Sequence, residues 1–412
     1  MLDIAAACIV ITALLAWINH RFVGLPTTIG VMAASLLLSL LLVALDGAGI
    51  THGLAGYERS LLGRIDFTEV LMDGMLSLLL FAGALHVDLA ALRRHRLSVA
   101  LLALVGTAAS AAIVGIGIWW LLPWAGVSLP LVHCLLFGAL ISPTDPVAVM
   151  SLVRSAGAPE DLETVIAGES LFNDGVGVVL FALLTGVLTS GHVPAAGEAL
   201  QLLLHEAVGG LAFGLGLGLL GFLMLRSVDQ YEVEVLLTLA IVSGGYAAAG
   251  WLDVSGPLAM VAAGVVIGNA GRRLAMSDKT RRYVDGFWEL IDEILNAVLF
   301  VLIGMEVVAI RFDLPHLAGA AMAIAVALAA RAVSVGLPVA ALPRLFGLPP
   351  GSWRVLTWGG LRGGISVALA LSLPAGAERD TVVALTYGVV VFSILVQGLT
   401  IAGVTARALG RR

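Results

Sequence analysis

Residues 131–153 read LVHCLLFGALISPTDPVAVMSLV, an apolar stretch that is interrupted in its middle. Pro143 and Pro146 each lack a backbone N–H and clash with the preceding turn, so they cannot both lie within one regular helix. Asp145 between them costs about 3 kcal/mol or more in lipid, so it must face protein, water or an ion. Non-helical backbone at membrane depth is tolerated only where it is buried in protein or lines a cavity. The stretch therefore predicts a membrane helix that is broken halfway, with a carboxylate at the break.

The composition extends this prediction to the whole chain. Of the 412 residues, 60% are hydrophobic and 12% are charged, whereas about 25% are charged in a soluble domain. The chain is thus expected to be an all-α, polytopic membrane protein that lies in the lipid bilayer, with one transmembrane domain over 1–412 and no soluble domain. The net charge of -6 says nothing about nucleic acid, because the basic residues lie in short loops, and no nucleic-acid partner is expected. Cys8 and Cys134 lie in apolar segments, so we expect small core residues and no disulfide framework.

Thirteen stretches are long and apolar enough to be spans, since each crossing takes about 20 residues. A further stretch, 46–66, is predicted to be an interfacial segment. The predicted spans are 3–18, 26–45, 67–86, 97–122, 131–152, 162–189, 200–225, 233–251, 256–270, 284–309, 315–342, 353–373 and 381–405.

The loop charges agree with thirteen spans. Sixteen of the 22 lysines and arginines then fall in loops on one side of the membrane and four fall on the other, while Arg331 and Arg362 lie within spans. Cytoplasmic loops carry the excess of basic residues. We therefore expect the N-terminus outside and the C-terminus in the cytoplasm.

A second break is predicted in the twelfth span. Residues 355–374 read VLTWGGLRGGISVALALSLP, in which four glycines surround Arg362. Backbone of this composition need not stay helical. Paired interruptions at corresponding places in two halves are typical of transporters built from inverted repeats, so spans one to six and eight to thirteen are expected to form such repeats.

Polar residues also mark spans six, ten and eleven. Span six holds GESLFNDG at 168–175, where Ser170 and Asp174 are four residues apart and share a helix face. Glu169 and Asn173 share the neighbouring face. Span eleven carries Arg331, and span ten carries Asp292, Glu293 and Asn296. For Asp292 and Glu293, a place in a cytoplasmic funnel or opposite loop arginines is favoured over a direct role.

These groups suit a site that takes either a cation or a proton. Two carboxylates close together in a poorly solvated cavity are costly to ionise together, because of desolvation and mutual repulsion. A bound monovalent cation offsets this cost and so does a proton, so the two compete. Na⁺ is a hard ion that prefers oxygen ligands, which Asp145, Thr144, Ser170 and Asp174 can supply. Arg362 either neutralises a helix C-terminal end or faces a carboxylate.

Three motifs carry a family resemblance. TDP at 144–146, GESLFNDG at 168–175 and GGLRGG at 359–364 resemble the signatures of the monovalent cation:proton antiporter family, in its sodium/proton exchanger branch with bacterial NhaP-like members. The resemblance implies a homodimer, thirteen helices per protomer and a crossing of the broken fifth and twelfth helices. It also implies that a core subdomain moves like an elevator against a dimerisation subdomain.

The resemblance further implies roles for single residues. Asp174 would carry the ion and the proton, Asn173 would hold the broken helix, and Glu169 would pair with Arg331 inside the core. The residues implied to help ligate the ion are Thr144, Asp145 and Ser170. The Asn-Asp pair at 173–174 is typical of electroneutral one-for-one exchange.

Two positions depart from the pattern. Ala82 stands where related antiporters often have a glutamate, and Asn296 stands where animal exchangers have one. Both departures bear on ion selectivity.

The expected function is secondary antiport of Na⁺ (or Li⁺) against H⁺ across a bacterial plasma membrane. No cofactor is expected beyond the transported ions. A K⁺/H⁺ antiporter of the same fold stays open, as does, less favourably, an ion channel. An intramembrane aspartyl protease would need GxGD and YD motifs, which the sequence lacks, so an enzyme is not expected. For Asp145 and Asp174, a purely structural pair satisfied by backbone donors is the alternative, and Thr144 and Ser170 could simply bond backbone carbonyls.

Overall fold

The computed structural model describes residues 2–47, 74–145, 147–191, 195–306 and 313–410, and over these ranges the chain is helical without a strand. From residue 48 onward, the predicted interfacial segment lies outside the described ranges.

Helices in the first half of the chain follow the predicted spans. They are α1 (Leu2–Ile18), α2 (Thr27–Gly47), α3 (Leu76–Leu85), α4 (Leu89–Arg94), α5 (Arg96–Ala100), α6 (Thr107–Leu121), α7 (Leu131–Ile141), α8 (Val147–Ser155), α9 (Glu160–Ser190) and α10 (Ala196–Arg226).

The second half continues in the same way. Its helices are α11 (Tyr231–Trp251), α12 (Gly256–Val266), α13 (Arg272–Leu274), α14 (Asp278–Glu306), α15 (Leu314–Arg331), α16 (Leu337–Ala341), α17 (Pro343–Phe346), α18 (Ser352–Trp358), α19 (Gly364–Leu371), α20 (Ala377–Phe392) and α21 (Leu399–Ala408). Several consecutive helices are joined by a single π-helical turn, such as Ala332–Gly336 between α15 and α16, and so form one longer rod.

Seven continuous rods are long and apolar enough to cross a membrane within the described residues. They run over Ala6–Val23, Arg96–Ala125, Glu160–Ser190, Gln201–Arg226, Tyr231–Trp251, Leu314–Ala341 and Ala377–Ala408. Shorter apolar helices, among them α3 and α7, accompany them. The protein is therefore a multi-pass membrane protein.

Each of the thirteen predicted spans overlaps one helix or a consecutive series of helices. Among the predicted boundaries that fall within the described ranges, the one that differs most is the start of α14, at Asp278 rather than at residue 284. Lys279 and Arg281 lie in this added part. A span predicted from hydropathy leaves out such charged residues. The helix includes them, because lysine and arginine are good helix formers.

Helix α9 is delimited by ordinary helix signals. Pro159 precedes its first residue, and Glu160, Asp161 and Glu163 lie in its first turn, where acidic side chains interact favourably with the positive end of the helix dipole. The helix ends at Ser190 and is capped by Gly191, whose φ of 66° lies in the left-handed region that glycine tolerates. These signals produce one unbroken helix of 31 residues.

Helix α9 also lies where the buried apolar side chains meet. These side chains form three clusters, around Phe137 and Phe300, around Trp288 and Met260, and around Val149 and Leu356. Helix α9 contributes a buried residue to each cluster. These residues are Phe181, Leu171 and Ile166. The polar residues of α9 are thereby held inside the protein. They are Glu169, Ser170, Asn173 and Asp174.

Candidate ion-binding site between two broken helices

The two predicted breaks contact each other. Helix α7 ends at Ile141 and α8 begins at Val147, while residues 359–363 separate α18 from α19. The backbone N–H of Asp145 in the first break donates to the carbonyl oxygen of Leu361 in the second at 2.8 Å. Backbone groups in a break lack the hydrogen-bond partners that a helix would give them. Here one such group from each break is the partner of the other.

Arg362 neutralises the end of α7. Its side chain is only 3% exposed, and its Nη1 donates to the carbonyl oxygens of Ser142 and Pro143, the latter at 2.8 Å. The last carbonyls of a helix lack intrahelical partners and carry partial negative charge. Of the two positions open to Arg362 on sequence grounds, the helix-end contact is the one that these hydrogen bonds define.

Asp145 lies at the opposite kind of helix end. Its carboxylate approaches Gly363, the residue directly before α19, so closely that a Cβ at position 363 would overlap it. The N-terminus of a helix carries partial positive charge. The crossing therefore places an arginine at a negative helix end and an aspartate next to a positive one.

Thr144 is held by two side chains of α9. The Oδ1 of Asn173 accepts from the backbone N–H of Thr144 at 3.2 Å, and its Nδ2 donates to Thr144 Oγ1 at 2.9 Å. The Oγ of Ser170 lies 3.0 Å from the same Oγ1. All three residues are buried. The unwound segment is thus fixed to α9 by polar side chains.

Asp174 and Asp145 line one cavity. Thr144 lines it as well, and Asp174 is only 7% exposed. Ser170 is not among the lining residues, and its hydroxyl contacts that of Thr144. The structure thus brings three of the four predicted ligands into one cavity and places the fourth in hydrogen-bond contact with one of them.

Burial makes this pair of carboxylates costly to keep charged. Two negative charges in a poorly solvated cavity repel each other and lose hydration energy. One monovalent cation or one proton relieves both effects. The arrangement is therefore suited to hold one or the other.

Glu169 faces away from the cavity toward Arg331. Arg331 Nη2 donates to Glu169 Oε2 at 2.9 Å, and Nη1 donates to Oε1. Its Nε donates to the carbonyl oxygen of Leu356 at 3.2 Å. A Cβ at Gly360 would lie 2.6 Å from Arg331 Nε, so a glycine is needed for this close approach. Both charges are buried and paired with two hydrogen bonds, the geometry that makes a buried ion pair tolerable.

Three further polar residues line the cavity: Asp292, Asn296 and Ser366. Asn296 Nδ2 donates to the backbone oxygen of Asp292 at 2.9 Å and to its Oδ1 at 3.1 Å. Residues four apart share a helix face, so this spacing was a signal in the sequence, but it did not indicate that the face points into the cavity. Ser366 lies three residues beyond the second break, and the sequence analysis did not predict it as part of the site. Ala82 is packed in the cluster around Trp288.

The chain is similar to known proteins over most of its length. The profile of the family described as sodium/hydrogen exchanger, transmembrane, matches residues 9–407. The chain is 51% identical over 411 residues to a protein of Pseudomonas aeruginosa named Na(+)/H(+) antiporter NhaP, covering 99% of this chain and 97% of that protein. It is 37% identical over 340 residues to a protein of Halobacillus dabanensis named Na(+)/H(+) antiporter NhaH, covering 81% and 82% of the two chains.

The fold is also similar to that of a solved structure. The sodium proton antiporter MjNhaP1 from Methanocaldococcus jannaschii, determined at pH 8, superposes with a TM-score of 0.76 over 98% of both chains at 19% identity. The fold, the whole-length profile match and the sequence relatives lead to one conclusion. The chain belongs to the sodium/hydrogen exchanger family.

Proposed function

We propose that the protein is a secondary antiporter that exchanges Na⁺ (or Li⁺) for H⁺ by alternating access. Asp174 carries either the cation or the proton across, and Asp145, Thr144 and Ser170 help ligate the cation. Asn173 fixes the broken helix, the Glu169–Arg331 pair stabilises the core, and Arg362 compensates a helix end.

The observation that carries this proposal is the pair of carboxylates, Asp145 and Asp174, in one cavity beside two crossed breaks. The relatives named Na(+)/H(+) antiporters support the choice of ions. The empty, doubly ionised site is too costly to move through an apolar barrier. Either ion removes that cost, so passage requires one of them and the exchange becomes obligatory.

One-for-one, electroneutral exchange follows from the residues beside Asp174. Its neighbour on α9 is the neutral Asn173, which is occupied by two hydrogen bonds to Thr144. A single aspartate that alternates between Na⁺ and H⁺ moves one charge in each direction.

We further propose a topology of thirteen spans in two inverted repeats, with the N-terminus outside and the C-terminus in the cytoplasm. The excess of basic residues in loops on one side supports this orientation. The single domain over 1–412 interleaves a core and a dimerisation subdomain in a homodimer. Bacterial relatives support a location in the bacterial plasma membrane.

The test is dissipation of a pH gradient by the purified protein in proteoliposomes, with Na⁺, Li⁺ and K⁺ added in turn. The proposal predicts saturable proton movement with Na⁺ and Li⁺ that an imposed membrane potential does not accelerate. Exchange with K⁺ alone would identify the K⁺/H⁺ alternative of the same fold. Conductive, non-saturating ion flux that needs no counter-ion would indicate a channel and contradict the proposal.

A further inference from the structure

We propose that Asp292 is a third carboxylate of the cation path, one that attracts the cation electrostatically before it reaches Asp145 and Asp174. This inference rests on the proposed antiport function. It assigns Asp292 to capture of the cation, and it leaves the exchanged charge with Asp174.

Asp292 belongs to the wall of the same cavity. It is half-buried on α14 and lines the cavity together with Asp145 and Asp174. The face of α3 that lines the cavity contributes Leu79, Leu80 and Gly83. The charged residues of the lining are Asp145, Asp174 and Asp292, and only Asp292 belongs to α14.

The orientation of Asp292 is fixed by Asn296. The buried amide of Asn296 donates to one carboxylate oxygen of Asp292 and to its backbone oxygen. A carboxylate whose rotamer is fixed in this way loses less conformational freedom when it meets a cation. Asp292 and Asn296 therefore act as a unit on one face of α14.

Asp292 also differs from Asp285 and Glu293, two other acidic residues of α14. Asp285 is paired with Arg272 at 2.6 Å, and Glu293 is exposed outside the cavity lining. For Asp292, no lysine or arginine partner is found in the part of the chain that the structure describes. A carboxylate without a basic partner, in the wall of a cavity that contains two more, remains available to a mobile cation.

The position of Asp292 along α14 indicates from which side of the membrane a cation would approach it. The N-terminal end of α14 follows the short helix α13 with Arg272 and Arg273, which the proposed topology puts in the cytoplasm. Asp292 precedes Asn296 by about one turn, roughly 6 Å along the axis. Of the α14 residues in the cavity lining, Asp292 is therefore the nearest in the chain to α13 and, in the proposed topology, to the cytoplasm.

The experiment compares Asp292→Asn with Glu293→Gln in proteoliposomes at low ionic strength. Asp292→Asn removes the charge and retains an oxygen that can accept from Asn296, while Glu293→Gln removes the same charge at the adjacent, exposed position. One charge in the wall of a poorly solvated cavity attracts a cation strongly enough to change its affinity about tenfold. We therefore expect about a tenfold higher KM for Na⁺ in Asp292→Asn, with the maximal rate within a factor of two of the wild type.

The controls separate capture from a structural role. Glu293→Gln should keep the wild-type KM, and Asp292→Glu should restore most of the affinity. Asp292→Ser replaces Asp292→Asn if the amide variant does not fold. An unchanged KM in the charge-removing variant, or a lower maximal rate with an unchanged KM, would overturn the inference while wild-type exchange still supports antiport. Absence of exchange in the wild type would instead contradict the proposed function itself.

Discussion

Asn173 holds Thr144 from two sides, accepting its backbone N–H at 3.2 Å and donating to its hydroxyl at 2.9 Å. Asn173→Ala would leave both groups of Thr144 without this partner inside the protein. A buried polar group that loses its partner costs about 1–3 kcal/mol. We expect this variant to lower both the melting temperature and the Na⁺ affinity, measured by thermal unfolding and by the KM of exchange.

Asn269 provides the matched control for that change. It is a half-buried amide that joins α12 to the start of α4, since its Oδ1 accepts from Leu89 N and its Nδ2 donates to the carbonyl oxygen of Val87. Asn269→Ala should lower the melting temperature but keep the wild-type KM. If Asn173→Ala had the same profile as this control, Asn173 would have no role in shaping the ion site.

Arg331→Ala tests the buried ion pair. Removing one partner leaves the Glu169 charge buried and uncompensated, which costs about 3–5 kcal/mol. The prediction is a marked fall in melting temperature with little change in the KM for Na⁺ in the fraction that remains folded.

The surface pair Arg154–Glu163 is the comparison for Arg331→Ala. Arg154 Nε lies 3.0 Å from Glu163 Oε2, and the Arg154 side chain is 71% exposed. Such pairs contribute about 0–1 kcal/mol, so Arg154→Ala should leave the melting temperature nearly unchanged. Lost ion binding at a wild-type melting temperature in Arg331→Ala would reverse the structural assignment of the pair.

Gly363→Ala tests the close contact between the two breaks. A methyl group at this position would overlap the Asp145 carboxylate and must displace it from the cavity wall. We expect a higher KM for Na⁺ or loss of exchange. Gly403→Ala is the control, because a Cβ at Gly403 meets open space and alanine is well suited to a helix interior. Equal exchange in the two variants would contradict a role for the Asp145 position.

Competition between Na⁺ and H⁺ for the same oxygens predicts a pH dependence. As the pH falls on the side where Na⁺ binds, protons occupy Asp174 more often, so the KM for Na⁺ should rise while the maximal rate at saturating Na⁺ stays constant. With a single competing proton, the rise approaches about tenfold per pH unit at its steepest. Initial rates over a matrix of pH and Na⁺ concentrations check this, and a steeper dependence would show that more than one proton competes.

Much of the fold could be predicted because the chain signals its breaks strongly. Prolines at 143 and 146 exclude a continuous helix, and the structure places the end of α7 at Ile141 and the start of α8 at Val147. The glycines around Arg362 likewise predicted a break in the twelfth span, and residues 359–363 separate α18 from α19. The polar face of α9 could be predicted because Ser170, Asn173 and Asp174 are polar residues within an otherwise apolar helix.

Contacts between distant elements could not be read in the same way. Arg362 was compatible with a helix end or with a carboxylate, and only its hydrogen bonds to the carbonyls of Ser142 and Pro143 distinguish these. Asp292 lies in a segment with many charged residues. Its sequence is explained equally well by a helix face exposed to water and by a face that lines a cavity. Ser170 stays a predicted ion ligand from its position on α9, but its hydrogen bond to Thr144 and its place outside the cavity lining could not be predicted from the sequence.

The most direct test of the central claim is sodium-dependent proton flux in proteoliposomes containing Asp174→Asn. Asp278→Asn serves as the control, since it removes a carboxylate that is 90% exposed at the start of α14. A neutral amide avoids the desolvation cost of a buried charge, so Asp174→Asn should fold with a melting temperature no lower than the wild type. The proposal predicts no sodium-dependent flux in Asp174→Asn and normal flux in Asp278→Asn. Retained exchange in folded Asp174→Asn would contradict it.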